Sequence, residues 1–227
     1  VQGTPLKGNG PKDLSLNDVQ RLDGLRELHR GAPAVIFGNG WRLNLARSWR
    51  IAESVVTIGV NRAPEVIDTQ YHVSIDLSGE ATACYTGVRF GAARENRRPG
   101  TLGAFWSDYW KKNGMLVPNT SPPFSGLYAI EVAAFLGCSP IYLFAYDGDD
   151  RPGTSEGHFY EGKRCAPGLA EKHNAWLTHA RKAMAEHHNP KRVYALTIDG
   201  SKPKVNNVEA FVDVYESGLL HTTKKEG

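Results

Sequence analysis

Cysteine is scarce in this sequence. Its 227 residues hold three, Cys84, Cys138 and Cys165. An odd number, widely spaced, argues against a disulfide framework and for a reducing compartment. There is no C-x-x-C pair, so a structural zinc site is not expected. There is no apolar run of the ~18 residues that a membrane-spanning helix needs. The opening V-Q-G-T-P-L-K-G-N-G has no apolar signal region. Together these absences predict a cytoplasmic chain. Charge of one sign is also missing. A net charge of +3 and a pI of about 8.7 fall well short of a nucleic-acid coat, though they allow an anionic ligand.

What is present suits one soluble domain, with 41% hydrophobic and 22% charged residues. The sequence divides into a flexible N-terminus (1–14), a single Rossmann-like α/β domain (15–220) with an insertion or lid at 82–120, and a tail (221–227). Three-residue apolar spacing predicts a helix over Ser15–His29. Ala34–Phe37 reads as a buried strand, Asn44–Glu53 as a helix, and Val55–Val60 and Tyr71–Ile75 as further strands. Ser125–Leu136 has helical spacing, with Ser125 as N-cap and Gly137 as its stop. Pro140–Tyr146 and Val193–Ile198 read as strands, and Pro167–His187 and Asn207–Tyr215 as helices. Strands alternating with helices predict a mostly parallel sheet sandwiched by helices. Within 82–120, Arg94–Arg98 reads as a solvated basic loop. The aromatics Phe105, Trp106, Tyr109 and Trp110 read as buried residues or as a pocket wall.

Parallel sheets take ligands at the carboxyl ends of their strands. Gly38-Asn39-Gly40 falls at such an end. It lacks the last glycine of a dinucleotide fingerprint and the Gly-Lys-Ser/Thr of a P-loop. It is either a tight turn or a nest of N–H groups for phosphate. Asn61 ends the second strand and offers an amide to a ribose or base, or forms an Asx turn. Asp76 ends the third strand, as a helix cap or a contact. Ser125-Gly126 opens a helix whose positive end suits an anion or a carbonyl. Asp147-Gly148-Asp149-Asp150 clusters carboxylates that repel one another unless solvated or holding a cation. Asp147 and Asp149 are the candidate Mg²⁺ ligands, and Asp147 is also a candidate catalytic residue. His158, on the loop after them, is the candidate general base or acid. His173 falls on a helix and reads as incidental.

In order, V-I-F-G-N-G-W-R-L-N, T-I-G-V-N-R, F-S-G-L-Y-A-I-E-V-A-A-F-L-G-C-S-P-I-Y-L-F-A-Y-D and a loop histidine resemble the superfamily joining bacterial lipooligosaccharide sialyltransferases to MptE-like proteins. That superfamily includes 6-hydroxymethylpterin pyrophosphokinases. The resemblance runs from Ala34 to His158 and is most specific over Ser125–Asp147. It departs at Trp41-Arg42-Leu43, where the family has Pro-Ser-Leu, and at Ala145-Tyr146-Asp147, where it has Gly-x-Asp. It implies a nucleotide donor held by Gly38, Asn39, Gly40, Asn61, Ser125 and Gly126, with His158 as base. Arg42, new in this loop, adds a cation for the phosphate.

The function expected on this basis is transfer from a nucleotide-linked donor, foremost glycosyl transfer from a nucleotide-sugar to a hydroxyl acceptor. One alternative is an ATP-dependent pyrophosphokinase with Mg²⁺ near Asp147. Another is a non-catalytic nucleotide- or nucleic-acid-binding module. Partners would be the donor and the acceptor, with nucleic acid disfavoured and homo-oligomerisation left open.

Overall fold

The computed structural model describes residues 24–74, 88–90, 124–160, 162–175, 177–178, 192–198, 200, 202–204 and 210–220. Seven strands form one sheet: β1 (Ala34–Phe37), β2 (Val56–Val60), β3 (Tyr71–Val73), β4 (Val88–Phe90), β5 (Ile141–Phe144), β6 (Val193–Thr197) and β7 (Ala210–Asp213). Their order is β4-β3-β2-β1-β5-β6-β7, and every pairing is parallel. The predicted α/β, Rossmann-like fold class is therefore what the chain adopts. The order reverses between β1 and β5, which pair from Ala34↔Ile141 to Phe37↔Phe144. A crevice at the carboxyl ends of such a pair is where open parallel sheets place their ligands.

Both faces of the sheet are covered, which explains why the strands read as continuous apolar runs. Side chains alternate along a strand. Ala34 and Ile36 of β1 join one core with Ile58, Val73, Leu143 and the helix α1 (Ser125–Phe135). Val35 and Phe37 join the other, with Leu43, Ala46, Phe144, Leu196 and Val214. There Trp49 packs on Phe144 with ring centroids 4.4 Å apart.

The structure differs from the sequence reading in three places. Asn44–Glu53 is not an α-helix; a 3-10 segment spans Trp41–Ser48. Leu43 and Ala46 are buried and Trp49 partly so, and their exact three-residue spacing suits the tighter turn. Asn207–Tyr215 contains the edge strand β7 instead of a helix. Val212 and Val214 are two apart and β-branched, which favours a pleated surface. Val88–Phe90, inside 82–120, pairs with β3 as the opposite edge. Residues 169–175 and 177–178 are helical as predicted. The predicted helix over Ser15–His29 lies mostly outside the described residues, as do Arg94–Arg98, Asp76 and the aromatics 105–110.

Within α1, Glu131 is only 7% exposed, and its Oε1 is buried without a hydrogen-bond partner. Burial pushes this carboxyl well above the ordinary 4.5. The folded state therefore keeps its proton to a higher pH than the unfolded state does. The resulting stability is complete below 4.5 and is lost as pH rises above it. Glu131→Gln removes that dependence. Thermal melts should show the variant more stable than wild type at about pH 8 and nearly equal to it at about pH 4.

Candidate functional site

Gly38-Asn39-Gly40 leaves β1 against the end of β5. Gly38 N–H donates to Phe144 O and Gly40 N–H to Ala145 O, each at 2.8 Å. A Cβ on Gly38 would lie 2.5 Å from Ala145 O, and one on Gly40 would overlap the Asp147 carboxylate. Gly40 has φ −63° and ψ 161°, an extended geometry that any residue adopts. These glycines therefore serve close approach of two strand ends. Their N–H groups are engaged by β5. The left-handed strain falls just past β5, where Ala145 has φ 57°. Glycine is the residue that takes this conformation without cost.

Asp147, two residues on, is 1% exposed. Its Oδ2 accepts from Arg42 N–H at 3.0 Å, and its Oδ1 accepts from Arg42 Nη1 at 2.5 Å. Arg42 is itself 9% exposed, with its guanidinium 4.3 Å from the Trp41 ring. Burial pushes the Asp147 carboxyl up, and Arg42 opposes this through its backbone N–H and its charge. The carboxylate thus sits at the amino end of the 3-10 segment, where a bound anion would otherwise sit. Arg42 Nε and Trp41 Nε1 remain buried donors without partners.

This pairing bears on the expected Mg²⁺. Both Asp147 oxygens are committed to Arg42. Asp149 Oδ2 lies 3.7 Å from Lys204 Nζ. Among the described residues, no group of three or more His, Cys, Asp or Glu side chains is arranged to hold a metal. Asp149 Oδ1 is buried without a hydrogen-bond partner.

The two asparagines do different work. Asn39 Nδ2 donates to Val60 O at 3.0 Å, and its Oδ1 accepts from Arg62 N–H at 3.2 Å. Its amide staples the β1 loop to the end of β2. Asn61 has φ 49°. Its carbonyl accepts from His72 Nε2 at 2.7 Å, and its Oδ1 is buried with no partner. Of the two amides, only that of Asn61 keeps a buried acceptor to offer.

His158 returns over the same loop. Its backbone bridges Gly40 in antiparallel fashion. Its Nδ1 lies 3.2 Å from Asn39 O. A carbonyl oxygen only accepts, so Nδ1 carries the proton, and in the neutral ring Nε2 carries the lone pair. Burial first, then nearby Lys163, lowers the imidazole pKa below 6.5, against opposing effects of the Asn39 bond and Asp150. At neutral pH this is a neutral imidazole with a basic Nε2.

The α1 end adjoins through Tyr146, whose hydroxyl donates to Gly126 O at 2.9 Å. A Cβ on Gly126 would lie 2.8 Å from the Tyr146 ring. Ser125 is the first helical residue, not the cap. Phe124 holds the N-cap position, and its side chain makes no capping hydrogen bond. Beside it stands a residue that sequence reasoning passed over. His173 meets Phe124 edge-on with centroids 4.7 Å apart and lies 6.5 Å from the Tyr146 ring. Its Nδ1 is buried without a partner, and burial lowers its pKa to about 4. Its place on the inward stripe with Ala170 and Leu177 was the available signal.

Gly38, Asn39, Gly40, Arg42, Asn61, Asp147 and His158 thus meet at the carboxyl ends of the central strands β1, β2 and β5, with Gly126 joined through Tyr146. Asp149 stands at the rim, and Asp76 is outside the described residues. A cavity of about 440 Å³ lies elsewhere, lined by Trp49, Ile51, Thr57 and Gln70 near the amino end of β2.

Asp147→Asn leaves a buried arginine without its counter-ion, so chemical denaturation should show a loss of about 3–5 kcal/mol. The double variant Arg42→Met/Asp147→Leu should lose less than either single change. Ala145→Gly relieves the left-handed strain and should raise stability by up to about 1 kcal/mol. His173 is protonated more readily unfolded than folded, so its contribution is complete above 6.5 and is lost as pH falls toward about 4. Urea titrations of His173→Phe should show a shallower acid limb over that window.

No family model matches the chain, and no curated protein matches it. Among solved structures it is similar to the monofunctional alpha-2,3-sialyltransferase Cst-I from Campylobacter jejuni. The likeness is at 16% identity over 88% of this chain and 86% of that one, with a TM-score of 0.43.

Proposed function

We propose that this chain is a transferase that moves a glycosyl group from a nucleotide-sugar to an acceptor hydroxyl. The observation that carries the reading is His158: a neutral imidazole with its Nδ1 proton held by Asn39 O, at the strand ends where α/β sheets bind ligands. The sequence resemblance over Ala34–His158 supplies the reaction class.

In this reading His158 Nε2 takes the proton from the acceptor hydroxyl. The acceptor oxygen forms a bond to the anomeric carbon. The bond from that carbon to the donor phosphate oxygen breaks, and the nucleotide leaves with the electron pair. Trp41 Nε1 and Arg42 Nε, donors without protein partners, hydrogen-bond the departing phosphate. Asn61 Oδ1 accepts from the donor's nucleoside. No step uses a metal.

The test is a panel of nucleotide-sugars followed by thermal shift and nucleotide release. At least one should stabilise the chain and release its nucleotide in the presence of an acceptor. His158→Gln should retain donor binding and lose transfer by about 10²–10⁴-fold. The acid limb of kcat/KM should lie below 6.5, because the base stays neutral there. No shift with any nucleotide-sugar would sink the reading. AMP formed from ATP only with Mg²⁺ would replace it with pyrophosphoryl transfer.

A further inference from the structure

The loop carrying His158 continues through Phe159 to Tyr160, and Tyr160 is more than a neighbour. Its ring stacks on the His158 imidazole, with centroids 5.2 Å apart and planes inclined by 11°. The Arg62 guanidinium carbon lies 4.4 Å from the centre of the same ring. Arg62 is fixed in turn by a paired contact to Glu65, with Nε–Oε1 and Nη2–Oε2 both at 2.7 Å. Its backbone N–H donates to Asn39 Oδ1. Between His158 and Tyr160, Phe159 N–H donates to Asn39 O at 3.1 Å, and Phe159 O accepts from Asn44 Nδ2 at 2.9 Å.

We infer that Tyr160, anchored by Arg62, is the positioning residue that holds His158 over the glycine loop in a single tautomer. The backbone contacts fix where residue 158 leaves the loop, but they do not fix its ring. Among the described residues, the ring has one hydrogen bond, to Asn39 O, and one flat surface against it, Tyr160. A planar guanidinium on an aromatic face is an oriented contact that also holds the aromatic in place. The chain of contact therefore runs from the end of β2 through Arg62 and Tyr160 to the imidazole. The other charges facing it are Lys163 and Asp150, on its own loop, and they act in opposite directions. The catalytic consequence rests on the transferase reading; the positioning itself does not.

The experiment reads the imidazole directly, without substrate, by nitrogen-15 NMR of the full chain with His158→Gln as the assignment control. Wild type should show His158 titrating below 6.5 with its proton on Nδ1. Tyr160→Leu should move that titration up toward 6.5 and mix the tautomers, while Tyr160→Phe, which keeps the flat ring, should restore both. Arg62→Gln should also mix the tautomers, a readout that a distant charge does not set. A folded Tyr160→Leu protein with unchanged tautomer and titration overturns the inference. If that variant does not fold, an unchanged tautomer in Arg62→Gln overturns it. If these shifts occur in a chain that binds no nucleotide-sugar, the positioning stands and only the transferase reading fails.

Discussion

The buried pair of Arg42 and Asp147 is the contact on which the rest of the site depends. An aspartate at the end of β5 and an arginine two residues past the glycine loop would each be expensive to bury alone. Paired through both a backbone N–H and a guanidinium, they draw the β1 loop onto β5. That approach is what excludes side chains at Gly38 and Gly40. It also answers what occupies the amino end of the 3-10 segment: the protein's own carboxylate. A loop that resembles a phosphate nest in sequence has spent its glycine N–H groups on β5 carbonyls and its anion position on Asp147.

What remains unsatisfied within the protein is therefore side-chain chemistry. Among the described residues there, two donors, Trp41 Nε1 and Arg42 Nε, and two acceptors, Asn61 Oδ1 and Asp149 Oδ1, are buried without partners. Such atoms cost stability in the free protein. The same region concentrates backbone strain, with Asn61 at φ 49° and Ala145 at φ 57° flanking the loop at the ends of β2 and β5. Strain and unsatisfied polar atoms thus gather at the carboxyl ends of the central strands.

Much of the fold was legible because burial on both faces writes strands as continuous apolar runs. Ala34–Phe37, Val55–Val60 and Pro140–Tyr146 were found that way. Ser125–Phe135 was legible from its small and apolar composition and the glycine that follows it. The helix expected over Asn44–Glu53 rested on Leu45, Trp49 and Ile51, and it misled because Leu45 is exposed while Leu43 and Ala46 are the residues that face the core. Val212 and Val214 misled because a short alternating run beside charged residues carries little pattern.

By itself, then, the sequence determined the parallel sheet, the strand ends that carry polar residues, and the nomination of His158. These follow from local periodicity and from the chemistry of single residue types. Only the tertiary structure decided what those residues do. It assigned Asp147 to Arg42, made Asn39 a staple while leaving Asn61 with a free acceptor, fixed the proton of His158, and brought His173 beside Tyr146. Each of these depends on a contact between residues far apart in the chain. No local pattern encodes whether a buried polar atom finds its partner within the protein or is left for something else to meet.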